Sequence, residues 1–231
     1  MSIGSMSVNN DSVNKLSEAL MLPGARLQQS LIQQTQAQQT QGQQLQLWLL
    51  DIDAEQIQLD AAAIGLFWQQ LPYWAFAWAG GRILAQFILD HPHYVAGKRV
   101  LDFGCGSGLV GIAAAKAGAE AVYVADLDPN ALLAAQQNAD LNKVEVNVVQ
   151  PGNCWPEVDL LLASDVLYDI SSSDDLRQLM LDIPDWLLAE SPKVAPDWIR
   201  LKTLWCKTTS TLPAIGDFDE AVTLSVYGRH P

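Results

Sequence analysis

Three closely spaced glycines, Gly104, Gly106 and Gly108, are the first residues of this chain whose spacing suggests chemistry. They follow a short apolar run at 99–103, and a stretch of helical spacing begins after them. Glycine lets the backbone turn sharply and approach a ligand closely, while the first turn of a helix offers free N–H groups and a positive dipole end. The pattern predicts a cradle for an anionic group. Because Gly111 completes the G-x-G-x-x-G spacing of dinucleotide-binding loops, the glycines leave open whether that group is a pyrophosphate or a carboxylate.

Two aspartates on either side of the glycines favour one ligand over the other. Asp102 stands where a dinucleotide-binding loop usually carries an apolar residue, and a carboxylate there repels a pyrophosphate but can accept a hydrogen bond from the ammonium of a methionyl group. Asp126 ends the next predicted strand, where an acid can bind both ribose hydroxyls. Asp128 is the alternative for the ribose, although its place before Pro129 also fits a helix N-cap. The set predicts S-adenosylmethionine as cofactor.

The elements that must position these residues follow from an alternation of short β-branched runs with Ala-rich stretches of helical period. This alternation is typical of β-α-β units and a parallel sheet. The predicted strands cover residues 99–103, 121–125, 144–149, 159–163, 186–189, 201–207 and 222–227. The predicted helices cover residues 109–117, 129–141 and 173–181, and a further helix over 74–88 leads into the sheet. The fold class is therefore α/β, with seven strands.

The N-terminal part of the chain has a biased composition. Glutamine supplies 11 of the 19 residues from Gln28 to Gln46. Such a tract can form a helix but cannot build a core alone. We expect residues 1–45 to be a helical or disordered appendage and residues 46–231 to form the α/β domain.

The charge of the chain restricts its partners. It holds 13 Lys and Arg residues against 26 Asp and Glu residues, a net charge of -13. Nucleic acid binding depends on clustered cations, so nucleic acid is not an expected partner. A cationic partner, such as a protein surface that presents lysine, fits the acidity better.

The apolar stretch at 64–89 raises the question of a membrane span, but polar residues and a proline interrupt it within helical reach. The first 25 residues lack the continuous apolar core of a secretory signal. Cys105, Cys154 and Cys206 match neither zinc-ligand spacing nor a disulfide framework. We therefore expect a cytoplasmic protein without a membrane span or a metal site.

Four segments resemble known methyltransferase motifs. VLDFGCGSG at 100–108 and ADLDP at 125–129 resemble motifs of the class I, seven-strand S-adenosylmethionine-dependent methyltransferases. PYWAFAWAGGRILAQFIL at 72–89 and LLLASDVLYD at 160–169 more closely resemble the protein-lysine methyltransferases that act on the electron-transfer flavoprotein beta subunit, and their bacterial relatives. The resemblance implies a Rossmann-like, mostly parallel sheet with helices on both faces. It also implies a protein lysine, in particular one on that beta subunit, as the methyl acceptor.

The resemblance carries three site residues with it. In this family the tryptophan of the upstream helix lies near the cofactor, which implies the same for Trp78, whose ring could attract a sulfonium by a cation-π interaction. The alternative is a core tryptophan. Asp165 and Tyr168 match the D-x-x-Y pattern after the fourth strand, which implies that they orient the lysine nitrogen. The alternative is that Asp165 caps the next helix and Tyr168 packs on it.

Asn153 and Trp155 follow the third predicted strand, where such folds contact adenine, although a surface turn with a buried tryptophan would explain them almost as well. The residues after Asp182 match no motif of the family. Three other functions share part of these features. They are a small-molecule N-methyltransferase resembling nicotinamide N-methyltransferase, a non-catalytic cofactor-binding module, and a nicotinamide-dependent oxidoreductase.

Overall fold

A mostly parallel sheet of seven strands forms the centre of the protein, which a computed structural model describes at residues 10–20, 22, 24–32, 44–51, 69–167, 170–195, 201–214 and 221–229. The strands of this sheet are β3 (Arg99–Phe103), β4 (Ala121–Ala125), β5 (Asn147–Val149), β6 (Leu160–Ser164), β7 (Asp185–Glu190), β8 (Leu201–Thr209) and β9 (Val222–Arg229). Their order is β5-β4-β3-β6-β7-β9-β8. Strands β3 to β7 pair in parallel, and β9 is antiparallel to both β7 and β8. The predicted α/β fold with seven strands is confirmed.

Helices cover both faces of the sheet. The helices in chain order are α1 (Asn10–Glu18), α2 (Ala79–Asp90), α3 (Leu109–Lys116), α4 (Pro129–Asn142) and α5 (Ile170–Asp182). Side chains of β6 alternate between the faces, because Leu160 and Leu162 pack in the core under α2, α3 and α4, while Leu161 and Ala163 pack under α5. A strand buried on both faces needs apolar residues at every position, which explains why the parallel strands read as continuous apolar runs.

The helix before the sheet begins later than predicted. Residues Tyr73–Ala75 form a 3-10 turn, Phe76 is extended, and α2 starts only at Ala79. Ala77 exchanges two backbone hydrogen bonds with Leu212, at 2.7 and 3.0 Å, so the chain must be extended there and cannot continue a helix. The residues before Ala79 are buried without being helical, since Trp74 lies in one core cluster and Ala77 in the cluster that also contains α2.

Residues Arg26–Ile32 (β1) and Leu45–Asp51 (β2) form a separate antiparallel hairpin. The sequence prediction for residues 1–45 was helix or disorder, and the strand β1 differs from it. Within β2, Leu45, Leu47 and Leu49 are buried in one core cluster while Gln46 between them is exposed, which is the period of a strand. Leu50 is buried on the opposite face, in a second cluster. The glutamine-rich composition conceals this alternation.

No helix in the described part of the chain is long and apolar enough to cross a membrane.

We expect Gly108→Ala to destabilise the fold more than Gly97→Ala. Both glycines have a left-handed φ, +77° and +70°, so alanine at either position costs about 1–2 kcal/mol in backbone conformation. A Cβ at Gly108 would lie 2.8 Å from Cα and Cβ of Ala135 in α4, whereas a Cβ at Gly97 meets nothing within 4 Å. The overlap adds about 1–3 kcal/mol to the Gly108 variant. Urea unfolding followed by circular dichroism measures the difference, and equal losses would contradict the packing role of Gly108.

Candidate active site

A cavity of about 770 Å³ opens at the carboxyl ends of the parallel strands. Its walls include residues that follow β3, β4, β6 and β7. In the sheet, β4 lies next to β3 on one side and β6 lies next to β3 on the other side. Such a switch in strand order separates the loops at this edge and is where open α/β folds bind their ligands.

The glycine loop forms one wall of the cavity. Gly106 has φ +50°, and a Cβ there would meet nothing within 4 Å, so its backbone faces open space. Gly104 has φ +68° and gives room to the turn after β6, since a Cβ on it would lie 2.6 Å from Cγ1 of Val166. Both glycines line the cavity. Gly108 does not line it and instead allows the close packing of the loop on α4.

Asp102 lies beneath the loop and not on the cavity wall. Its side chain is buried, with 2% of the residue exposed, and Oδ2 accepts a hydrogen bond of 2.8 Å from the N–H of Gly111. Burial raises the pKa of Asp102 to about 7, although the bond from Gly111 acts in the opposite direction. The carboxylate therefore fixes the first turn of α3 and, with it, the glycine loop. The structure does not bring it into the cavity, where the predicted contact with a methionyl ammonium would require it.

Asp126 follows the last residue of β4 and lies on the cavity wall. Its Oδ2 accepts from the N–H of Gly106 at 2.9 Å and its Oδ1 from the N–H of Asp128 at 3.0 Å. Burial raises its pKa, while these backbone bonds lower it. Asp128 also borders the cavity, but its side chain accepts from Asn130 N–H at 2.8 Å and is the N-cap of α4. The N-cap alternative for Asp128 thus agrees with the structure.

Trp78 borders the cavity at the N-terminus of α2. Its indole N–H donates to the carbonyl of Tyr73 at 2.8 Å, and its ring lies 5.5 Å from the ring of Tyr73 and 5.3 Å from that of Phe76. The side chain is half-buried, unlike Trp74, which is the tryptophan in the adjacent core. An aromatic face on the wall is available to a cation.

Asn153 and Trp155 also line the cavity, beyond the end of β5. Trp155 is 43% exposed, and its ring lies 5.8 Å from that of Phe103. The alternative prediction for Trp155 was a buried side chain in a surface turn. The exposure of the indole disagrees with that alternative. The indole stands at the mouth, where a flat ring system could stack on it.

Asp165 lies on the opposite wall, after β6. Its Oδ2 accepts from the N–H of Gly81 in the first turn of the upstream helix at 3.0 Å, so this carboxylate caps α2. Asp165 has the left-handed φ of 52°, and a Cβ on Gly80 would lie 2.5 Å from its carboxylate. The paired glycines of α2 thus make room for this side chain. Tyr168, its predicted partner, lies outside the described residues.

Glu190 is a site residue that the sequence reasoning missed. It ends β7, borders the cavity and is only 4% exposed. Its Oε1 accepts from the N–H groups of Val166 at 2.9 Å and Leu167 at 3.1 Å, the two residues that follow Asp165. Burial raises its pKa. One signal was available, since an acid directly after the apolar run of β7 must reach the same sheet edge as Asp165, but the predicted strand ended one residue too early.

The charge of the cavity is uniformly negative. The described residues that line it include five carboxylates, Asp126, Asp128, Asp165, Asp175 and Glu190, and no Lys, Arg or His. Taking a carboxylate out of water without a cationic partner is unfavourable. A cationic ligand would relieve that penalty, whereas a pyrophosphate would increase it. Among the described residues no group of His, Cys, Asp and Glu could hold a metal ion.

We expect Asp102→Asn to remove a decline in stability that the wild-type protein shows as the pH rises. The pKa of Asp102 is raised to about 7 from the ordinary value of 3.8, so between these values the folded chain holds a proton that the unfolded chain has lost. The free energy of unfolding then falls with pH across this range, by no more than about 1.36 kcal/mol per unit from this group. Asparagine keeps an oxygen for Gly111 N–H but does not titrate. Urea unfolding of both proteins from pH 4 to 8 tests this, and parallel curves would contradict it.

Comparisons with known proteins agree with this fold and site. Residues 87–171 match the family described as ribosomal protein L11 methyltransferase (PrmA). The electron transfer flavoprotein beta subunit lysine methyltransferase of Danio rerio is 41% identical over 113 residues, which cover 46% of this chain and 43% of that protein. Its Homo sapiens counterpart is 38% identical over 111 residues, with 46% and 42% covered. The ribosomal protein L11 methyltransferase of Dichelobacter nodosus is 49% identical over 83 residues, with 35% and 28% covered.

Among solved structures, a candidate RNA methyltransferase of Pyrococcus horikoshii aligns with a TM-score of 0.51 at 17% identity, over 64% of this chain and 81% of that one. The present chain spans less than half the length of the curated relatives named above. The family match at residues 87–171 contains the glycine loop, Asp126 and Asp165, and the structural alignment covers 64% of this chain. The chain therefore has the fold of the class I methyltransferases, and its matched segment resembles the L11 methyltransferases and the electron-transfer flavoprotein beta-subunit lysine methyltransferases, as the motifs predicted.

Proposed function

We propose that this chain is an S-adenosylmethionine-dependent methyltransferase that methylates a lysine side chain on a protein, with the electron-transfer flavoprotein beta subunit as the first acceptor to test. The observation that carries the proposal is the single acidic cavity that joins the glycine loop and Asp126 on one wall to Asp165 and Glu190 on the other. The names of the similar proteins support the same reaction and acceptor.

The cofactor wall has the groups that S-adenosylmethionine needs. The open backbone of Gly106 and the positive dipole end of α3, which begins at Leu109 on the cavity wall, suit the methionyl carboxylate, and Asp126 suits the ribose hydroxyls. Trp155 offers a flat surface to the purine, and Trp78 offers its ring to the sulfonium. Bound there, S-adenosylmethionine supplies an electrophilic methyl group on a positively charged sulfur. A nicotinamide dinucleotide fits less well, because five carboxylates would surround its pyrophosphate.

The acceptor wall is suited to a cationic side chain. The Asp165 carboxylate is fixed by Gly81 and stands in the cavity, so it can attract an incoming lysine ammonium and orient its nitrogen. Methyl transfer to nitrogen is an in-line displacement in which positioning accounts for much of the acceleration. The amine must lose its proton to act as a nucleophile. Carboxylates oppose that loss while the apolar walls favour it, so we expect the proton to leave to solvent as the side chain enters.

The mouth of the cavity favours a protein acceptor over a small molecule. Tyr73, Leu127, Trp155 and Val194 line the cavity and are all exposed large apolar residues. Exposed apolar groups around a cavity are typical of a surface that binds another protein. A small-molecule N-methyltransferase would be expected to enclose its acceptor behind such residues.

We also propose a cytoplasmic location. The support is that Cys105, Cys154 and Cys206 are all free thiols in the structure, as a reducing compartment would keep them. Fractionation of cells followed by immunoblotting tests this assignment.

Transfer to a protein lysine can be tested directly. The purified chain is incubated with S-adenosylmethionine labelled in the methyl group, with an extract of the source organism or with purified electron-transfer flavoprotein. We expect label in protein and, after acid hydrolysis, in methyllysine identified by mass spectrometry. Label in the extract but not in the flavoprotein would redirect the search to another protein. Label found only on small molecules would refute the protein-lysine proposal.

We expect Asp165→Asn to lower kcat/KM for the methylated protein by about 100-fold or more, the range seen when a positioned polar catalytic group is lost. Asparagine keeps an oxygen for Gly81 N–H, so α2 stays capped, while the charge that attracts the ammonium is lost. Asp165→Ala should abolish transfer. Affinity for S-adenosylhomocysteine, measured by calorimetry, should stay within a few-fold in both variants. The control is Asp140→Asn, which changes an exposed acid of α4 outside the cavity. Unchanged kcat/KM in Asp165→Asn would show that the negative charge of Asp165 does not contribute to methyl transfer.

A further inference from the structure

A buried asparagine of α4 connects the N-terminal hairpin to the glycine loop. Asn138 is fully buried, and its Oδ1 accepts from the backbone N–H of Trp48 in β2 at 2.7 Å. Its Nδ2 donates to the carbonyl of Ser107, between Gly106 and Gly108, at 2.8 Å. One amide group therefore bonds the hairpin on one side and the cofactor wall on the other.

A second asparagine, one helical turn later, provides the comparison. Asn142 is also buried, and its amide bonds both the N–H and the carbonyl of Gln46 in β2. Its other bond is to the carbonyl of Asn138 in the same helix. Asn142 therefore holds the hairpin to α4 without reaching the glycine loop. Only the Asn138 link continues to Ser107.

Apolar packing joins the same two parts of the molecule. A core cluster contains Leu16 of α1, Leu20 just after that helix and Leu50 of β2, together with Trp74 and Ala131. Trp74 and Ala131 also line the cavity, so the N-terminal segment lies directly behind part of its wall.

We propose that the N-terminal hairpin is a working part of the cofactor site, and that Asn138 is the positioning residue that couples the hairpin to the glycine loop. The inference rests on the proposed function for the identity of the ligand. Because the Ser107 carbonyl is fixed by Asn138, and Asn138 is itself fixed by β2, docking of the hairpin sets the orientation of the loop that receives the methionyl group. The coupling is reciprocal by thermodynamic linkage, so a ligand on the loop must also stabilise the docked hairpin.

The test compares Asn138→Asp with Asn142→Ala in the full-length chain. Aspartate keeps the oxygen that accepts from Trp48 N–H but loses the donor to Ser107. We expect Asn138→Asp to weaken S-adenosylhomocysteine binding by at least tenfold in calorimetry, and Asn142→Ala to weaken it by less than threefold. Asn138→Ala, which loses both bonds, should bind no better than Asn138→Asp. Equal affinity losses in Asn138→Asp and Asn142→Ala, or no loss in the former, would overturn the proposal.

Hydrogen exchange gives a readout that a general loss of stability would not move. S-adenosylhomocysteine should slow amide exchange in the peptide covering residues 44–51 of the wild-type chain, although no residue of β2 lines the cavity. Asn138→Asp should abolish this effect and Asn142→Ala should keep it. Ligand-independent exchange in β2 of the wild type would refute the coupling.

Failure of the proposed function would be recognised separately. If the wild-type chain does not bind S-adenosylhomocysteine, the cofactor assignment is wrong. The hairpin proposal is then decided without ligand, by the exchange of the loop amides at 104–111. Faster exchange in Asn138→Asp than in Asn142→Ala would support the link from the hairpin to the loop, and equal exchange would overturn it.

Discussion

Bonds from backbone N–H groups to carboxylates at the ends of four adjacent parallel strands fix the geometry of this site. Asp102 of β3 accepts from Gly111, Asp126 after β4 from Gly106, Asp165 after β6 from Gly81, and Glu190 of β7 from Val166 and Leu167. A hydrogen bond to a charged group contributes about 1.5–3 kcal/mol, more than one between neutral groups. These four acids therefore hold the glycine loop, the first turns of α2 and α3, and the turn after β6.

In the turn after β6, the hydrogen bonds to these carboxylates are accompanied by an unfavourable backbone conformation and close packing. Asp165 adopts a left-handed conformation that is unfavourable for a residue with a side chain, and its carboxylate occupies the space that a Cβ on Gly80 would fill. Glu190 holds the next two N–H groups, and Gly104 leaves room for Val166. Strain of this kind persists only where the surroundings enforce it, and it is concentrated at functional sites.

The parts of the site that depend on local sequence could be predicted, and the parts that depend on distant pairing could not. Gly104, Gly106 and Asp126 belong to one β-α-β unit, so local sequence spacing was enough to indicate that they lie close together, and all three line the cavity. The sequence placed Asp102 in the cavity, but its side chain points toward α3. Side chains alternate along β3, and Asp102 lies on the same face of the strand as Val100. Glu190 comes to Asp165 only through the pairing of β6 with β7. The hairpin was hidden because glutamine fills the exposed positions of its strands.

Three of these carboxylates, Asp126, Asp165 and Glu190, also line the cavity and concentrate negative charge there, and this connects structure to binding. Backbone N–H groups supply partial positive charge but do not neutralise five acids, and no cation of the described lining does so either. A ligand that brings positive charge relieves this repulsion in the folded state alone, so its binding free energy adds to the stability of the fold. A neutral or anionic ligand of the same shape gains nothing from it. The preference of the cavity for a positively charged ligand therefore depends on the carboxylates that hold the backbone in place as much as on any group that contacts the ligand.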